Sequence, residues 1–300
     1  MVKTTNGRAI EKYGIRTLWP RDFPALLAEL PDPPDLLHLR GELPSPALRQ
    51  LCVVGSRRFT PYGRNACQKL IAGLAGHPIA IISGLALGID GIAHQAALDA
   101  GMQTLAIVGS GVSDDAIYPI TNRPLAKKIL GSGGGVMSEF PPEMRAEPWC
   151  FPQRNRIMAG MSHATLVIEA GEKSGTLITA RLALDYNRDV LAVPGSIFSE
   201  SSGGCHGLLR RGAVPVTSSK DILEALGIEI PDERSPTQQA LALEGCSDDE
   251  KSVLELLRAP LPRDEIIGQS GLPVARVSIA LSGLELRGLI DEGLGEIRRR

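Results

Sequence analysis

Seven short runs of small and branched apolar residues, most of them closing on glycine or serine, constrain this chain more than any other feature. They are LCVVGS (51–56), AIISG (80–84), TLAIVGSG (104–111), GVMSEF (135–140), ATLVIEAG (164–171), DVLAVPG (189–195) and AVPVTS (213–218). Continuous rather than alternating apolar runs mark strands covered on both faces, and the amphipathic stretches between most of them supply the covering helices. The pattern predicts an α/β fold over residues 48–227: an extended, Rossmann-like, doubly wound and mostly parallel sheet. Ligands of such sheets bind outside the carboxyl ends of the strands, where Gly55, Gly84, Gly109, Gly171 and Gly195 fall.

The flanks read differently. Residues 1–47 are proline-rich and are expected to form a partial N-terminal element. After Gly227 the strand pattern stops, and residues 228–247 show no period, as a linker would. Residues 248–300 then give a helix, a turn, a short helix stopped at Gly271, a longer helix from Pro273 and a two-stranded ending around Gly293 and Gly295. That order is a winged helix-turn-helix.

The formal net charge of −2 excludes a protein that coats nucleic acid by bulk charge, so binding of that kind needs a local cluster of cations. The five cysteines (Cys52, Cys67, Cys150, Cys205, Cys246) are an odd set with no C-x-x-C pair and no clustering with the five histidines. They point to a reducing cytoplasm and to no metal site. No apolar run reaches the length of a membrane span, and the opening MVKTTNGRAIEKYG lacks the apolar stretch of a secretion signal, so a soluble cytoplasmic protein without a membrane partner is expected.

The densest chemistry lies in 151–187. FPQRNRIMAGMS brings Arg154, Asn155 and Arg156 just before the strand ATLVIEAG, and EKSGTLITARLALDYN brings Lys173, Ser174, Gly175 and Thr176 just after it. A helix opening on Ser-Gly-Thr offers backbone N–H groups and a favourable dipole to an anion, and the glycine lets a phosphate oxygen approach the main chain. The segment reads as a phosphate grip, against the plainer alternative of an ordinary N-cap and solvated arginines.

The first strand adds Gly55, Ser56, Arg57 and Arg58 at its turn. Only Gly55 and the distant Gly63 are present there, too few for a dinucleotide fingerprint, so no nicotinamide or flavin cofactor is expected; the two glycines of GSGVSD (109–114) are weak evidence. A guanidinium at such a turn pairs with phosphate oxygens, which suits Arg57, while Arg58 reads as a surface charge. In SGLALGIDGIAHQAAL (83–98), Ser83 and Gly84 end a strand, and Asp90 and His94 share a helix face. They read as supporting groups, Asp90 offsetting the helix dipole and His94 structural. No P-loop, nucleophile elbow or zinc motif occurs, and Cys205 has no flanking base. The loop 195–216 is open to two readings, a mobile lid over the strand ends or a glycine-rich surface turn.

Residues 51–227 carry 16 Lys and Arg against 14 Asp and Glu, so a basic pocket there is local rather than general. Residues 248–300 carry 8 against 10, and the expected recognition helix 273–287 has only Arg276 and Arg287 against Glu285. Tight duplex binding by that helix is not expected.

The motifs VVGSRRFTPYG, IISGLALGIDGIAHQAAL, YPITNRPLA, SEFPP, FPQRNRIMAGMS, LVIEAGEKSGTLITARLAL, VLAVPGSI and GCHGLLRRGAVPV stand in the order of a known family. The chain resembles the bacterial DNA-processing protein A (DprA/Smf) family over nearly all of 51–227. The resemblance implies a protein of natural transformation that binds and protects incoming single-stranded DNA without catalysis, forms a homodimer and helps load RecA recombinase onto the strand. Carried over by motif, the phosphate-pocket residues are Gly55, Ser56 and Arg57, Ser83 and Gly84, Asn155 and Arg156, and Lys173, Ser174, Gly175 and Thr176. Two departures stand out. The family's G-x-G-L-D-x-x-Y-P turn is GSGVSDDAIYP here, around Asp114 and Asp115, and of the family's longer N-terminal helical domain only the end is recognisable, from about LWPRDFPALLAELPDPPDLLHLRGEL.

The rival is an enzyme. Nucleotide phosphoribohydrolases of the lysine-decarboxylase-like group share such a sheet but place P-G-G-x-G-T with acidic residues where this chain has EKSGTLIT. Glu172 precedes Lys173, but no carboxylate follows Thr176 in the first helical turns, and no catalytic residue is assigned. A winged-helix transcription regulator would need a basic recognition helix, which the charges do not provide.

Overall fold

A computed structural model of the chain describes residues 14–229, 245–257, 261–293 and 296–299. The chain forms two compact units, Met1–Glu229 and Ile230–Arg300, and most of the expected linker lies outside the described residues.

Each of the seven apolar runs holds one strand: β3 (Arg49–Val54), β4 (Ile79–Ser83), β5 (Thr104–Ile107), β6 (Gly135–Ser138), β7 (Ala164–Val167), β8 (Asp189–Ala192) and β9 (Val214–Pro215). Two further strands, β1 (Ile15–Leu18) and β2 (Leu37–Gly41), lie in the expected N-terminal element. All nine make one sheet in the order β1-β2-β6-β5-β4-β3-β7-β8-β9. From β6 to β9 every pairing is parallel, whereas β1 and β2 join antiparallel at the β6 edge. Leu37 and Leu39 of β2 are fully buried in the same core as Ile107 and Met137, so β1 and β2 extend the sheet instead of building a core of their own.

The helices are α1 (Ala25–Ala28), α2 (Pro61–Ala72), α3 (Ile89–Asp99), α4 (Arg123–Gly131), α5 (Cys150–Gly160), α6 (Thr176–Asp185), α7 (Gly203–Arg210) and α8 (Ser219–Ala225). The two-residue period of a strand divides the apolar runs between the two faces. On β5, Leu105 and Ile107 enter one core while Ala106 joins the other; on β6, Met137 and Val136 divide in the same way. Two buried faces explain why these strands read as unbroken apolar runs.

Strand order places the site. The chain adds strands outward from β3 to β6, then returns to lay β7 on the other side of β3. The connections leaving β3 and β7 therefore diverge, and a crevice opens between their carboxyl ends.

His94 of α3 is fully buried, with Nδ1 2.7 Å from the Thr104 hydroxyl, which itself donates to the Ile81 carbonyl at 2.9 Å. Burial brings its pKa down to about 3 from 6.5. The folded state thus binds fewer protons than the unfolded chain, and the stability this gives is present above pH 6.5 and lost as pH falls towards 3. Between pH 7 and 5 the loss is about 2 kcal/mol. Asp90 shifts the opposite way, raised chiefly by burial, so the measurement is a difference: wild type should lose about 2 kcal/mol more than His94→Leu in urea unfolding over that range. Equal losses would mean that His94 titrates normally.

The second unit contains α9 (Asp248–Leu256), α10 (Arg263–Ser270) and α11 (Val274–Leu286), with β10 (Leu261–Pro262), β11 (Ile290–Gly293) and β12 (Glu296–Arg299) in the order β10-β12-β11. Ser247 and Glu250 form a reciprocal cap on α9, and Gly271 ends α10 at φ 65°, a left-handed residue that glycine adopts without strain. Leu254, Leu257, Ile266, Val277, Leu281, Leu284 and Ile290 all enter its core. This is the winged helix. Both arginines of its recognition helix region face acids of α9: Arg276 is bidentate to Asp249 at 2.7 and 2.5 Å, and Arg287 lies 3.8 Å from Glu250. Val274, Ile279 and Leu286 are exposed.

Candidate functional site

The crevice between β3 and β7 encloses about 650 Å³. Its walls come from the loop after β3, the start of α6 and one face of α5, and they include Gly55, Ser56, Arg57, Asn155, Lys173, Ser174, Gly175 and Thr176. Arg58, Phe151, Arg154 and Asp90 line it as well.

The β3 loop is held from three sides. Ser56 N–H donates to the Glu169 carbonyl at 2.7 Å, the Thr176 hydroxyl to the Gly55 carbonyl at 3.1 Å, and Ile89 N–H to the Ser56 carbonyl at 3.2 Å. The last contact depends on Gly88, at φ 86°, where a Cβ would come within 2.3 Å of the Ser56 oxygen. So anchored, the loop turns Arg57 and Arg58 to solvent. The Arg57 guanidinium stands 5.1 Å from the centre of the Phe151 ring, an arrangement that orients the cation while leaving its edge free for an anion.

The opening of α6 differs from expectation in one respect. Ser174 N–H bonds the Gly171 carbonyl, Thr176 N–H the Ser174 hydroxyl, Leu177 N–H the Ser174 carbonyl and Ile178 N–H the Gly175 carbonyl, at 3.0–3.3 Å. Tight turns already satisfy these amides, so attraction for an anion rests on Lys173, the arginines and the helix dipole more than on vacant N–H groups.

The face of α5 sorts the FPQRNR cations. Phe151, Arg154, Asn155 and Met158, spaced i, i+3, i+4 and i+7, line the crevice. Arg156 is two residues from Arg154, about 200° around the helix, and is not in the wall. It pairs instead with Glu139 and reaches the Asp32 carbonyl, tying α5 to the segment after α1.

Arg154 is only 4% exposed. Its Nη1 donates to the carbonyls of Gly84, at 2.6 Å, and Ile107, spanning the ends of β4 and β5. Burial lowers its pKa and raises that of Asp90, and each opposes the other's shift through its charge. A buried guanidinium and a buried carboxylate thus both stand in the crevice floor. Ser83 and Gly84 lie beneath that floor. The Ser83 hydroxyl donates to the Val53 carbonyl at 2.7 Å, and a Cβ on Gly84 would meet the Arg154 guanidinium at 2.3–2.6 Å.

The departure at Asp114 has a structural partner: its carboxylate accepts from Arg40 of β2 at 2.8 Å, so the altered turn is tied to one of the two added strands. All five cysteines are buried, and burial pushes Cys52 and Cys67 up to about 12 and Cys205 to about 11, which leaves those three protonated and unreactive. Among the described residues no group of three or more His, Cys, Asp and Glu is placed to hold a metal, and no helix is long and apolar enough to cross a membrane.

The crevice therefore offers exposed cations, an aromatic ring and a rigid floor, which suits a phosphodiester with an unpaired base beside it. The chain matches the model of the DNA recombination-mediator protein A family over residues 14–227 and the DprA winged helix domain over 233–295. It is 39% identical to Protein Smf of Escherichia coli over 280 residues, 89% of this chain and 72% of that protein. It is 42% identical to the DNA processing protein DprA of Streptococcus pneumoniae over 201 residues, 67% of this chain and 70% of that one. The solved structure of the pneumococcal protein superposes with a TM-score of 0.66 at 38% identity, over 74% of this chain and 76% of that chain. That of DNA processing protein A from Helicobacter pylori, solved for its single-stranded DNA binding mode, gives 0.64 at 28% identity, over 72% and 96%.

Proposed function

This chain belongs to the DNA recombination-mediator protein A family, and on that premise we propose that it binds single-stranded DNA in the β3–β7 crevice without catalysing a reaction on it. The observation that carries the reading is the meeting of Arg57, Arg58 and Lys173 around one crevice at the point where strand order reverses, with Phe151 in the same wall. Cations neutralise the backbone whatever the sequence, and an aromatic face needs a base that is not already stacked in a duplex. In this reading the protein acts in the cytoplasm during natural transformation, protects incoming strands, works as a homodimer and helps load RecA recombinase. Those last roles come from the family resemblance and not from the crevice.

The phosphoribohydrolase alternative needs a carboxylate free to act on a nucleotide. Asp90 is 6% exposed and lies within the field of Arg154, and Glu169 accepts hydrogen bonds from Thr60 N–H, the Thr60 hydroxyl and the Ser201 hydroxyl at 2.6–2.9 Å. Both serve the fold. A gel-shift series with single- and double-stranded oligonucleotides, run beside an assay for base release from nucleoside monophosphates, tests the proposal. Preferential retention of single strands with no base released is the expected result. Base release that disappears in Glu172→Gln would restore the enzyme reading.

The winged helix is assigned little of the affinity. Its core is its own, and the arginines on its recognition helix are engaged with acids. Truncation after Gly227 should leave single-strand affinity within about threefold, less than about 1 kcal/mol. A loss beyond about tenfold in a truncated protein that remains folded would make the winged helix a primary DNA site.

A further inference from the structure

The loop after β8 carries the most exposed large apolar side chains among the described residues of the first unit, Ile197 at 81% and Phe198 at 92%. Its stem is firmly held. The Tyr62 hydroxyl donates to the Pro194 carbonyl at 2.5 Å, the His206 ring Nε2 lies 3.0 Å from the Gly195 carbonyl, and the Ser201 hydroxyl donates to the buried Glu169 carboxylate at 2.6 Å. Within the loop, Phe198 N–H bonds the Ser196 hydroxyl at 3.2 Å and Ser199 N–H the Ser196 carbonyl at 3.1 Å. A loop free to relax would fold two such side chains inward; this one is braced with them facing water.

The brace also joins the loop to the crevice. Gly204 N–H donates to the Ala170 carbonyl at 2.8 Å, and a Cβ on Gly171 would stand 3.4 Å from the Glu200 oxygen. Residues 170 and 171 lead directly into Lys173. In the sheet, β8 lies one strand spacing beyond β7, about 4.8 Å, so the loop leaves the sheet at the same carboxyl edge as the crevice. The cations of that edge, Arg57, Arg58 and Lys173, call for a polyanion, whereas exposed Glu200, two residues from Phe198, disfavours a second phosphate at the tip. An occupant that is anionic over the crevice and neutral, flat and apolar over the tip is a nucleic-acid single strand with one base turned outward.

We propose that Phe198, backed by Ile197, is a base-stacking subsite that receives the nucleobase adjoining the phosphate held by Lys173. The subsite rests on the single-strand reading above. It makes Phe198 a second aromatic contact, on the opposite side of the crevice from Phe151, and directs the strand across the carboxyl ends from β5 towards β8.

The test uses the full-length protein and fluorescein-labelled oligothymidylate, with a matched oligonucleotide carrying abasic sites, in anisotropy titrations at several salt concentrations. Phe198→Ala should weaken binding of oligothymidylate at least about fivefold with an unchanged salt slope, since stacking is lost and no phosphate contact is. Phe198→Trp should restore it. On the abasic strand Phe198→Ala and wild type should bind alike. An unchanged affinity for oligothymidylate, an equal loss on the abasic strand, or a reduced salt slope in Phe198→Ala overturns the subsite. If wild type itself fails to bind single strands, the functional reading fails first, and the two failures are told apart by that control.

Discussion

Replacing both Arg57 and Lys173 by alanine is expected to weaken single-strand binding by about 2–5 kcal/mol, roughly thirtyfold to several thousandfold, and to do so equally for all base sequences. Both side chains are exposed in the crevice wall, and among the described residues neither takes part in a salt bridge. Their removal should therefore spare the fold, and the melting temperature should not move. Each cation that neutralises a phosphate contributes about 0.7 to the log–log salt slope for single strands, so the double variant should lose about 1.4. A loss of affinity with the slope unchanged would mean that the two residues shape the crevice without meeting the backbone. Retained affinity would place the DNA elsewhere.

Much of this arrangement is legible in the sequence because parallel strands buried on two faces have little choice of residue. The seven apolar runs locate seven strands, and the glycines and serines closing them locate the crevice rim. The strands β1 and β2 are not legible in the same way. They are short, lie among prolines and pair antiparallel at an edge, so neither the unbroken apolar run nor the strand–helix rhythm marks them. FPQRNR shows a second limit. Arg154 and Arg156 look equivalent until residues 150–160 are taken as a helix; then the spacing of Phe151, Arg154, Asn155 and Met158 assigns one arginine to the crevice and the other to Glu139. Arg58 reads as a plain surface charge because only the fold of the β3 loop brings it to the wall. Nor does sequence alone reveal that tight turns have already satisfied the first amides of α6, a matter of local backbone path.

The floor of the crevice should be the most sensitive place to cut. Arg154→Met removes the only donor that the hydrogen bonds among the described residues show for the Gly84 carbonyl, together with one to Ile107. Two buried hydrogen bonds from a charged donor are worth about 1.5–3 kcal/mol each, and their acceptors are left without water. Urea unfolding at pH 7 should show that loss. Gly84→Ala reaches the same group from the other side, its methyl meeting the guanidinium at 2.3–2.6 Å, and should destabilise in the same direction. Because Arg154 is almost wholly covered, its effect on DNA should follow the fold: affinity falls with stability in both variants. An Arg154→Met protein as stable as wild type would show that water replaces the guanidinium. One that keeps its stability yet loses DNA binding would instead make Arg154 a direct phosphate ligand.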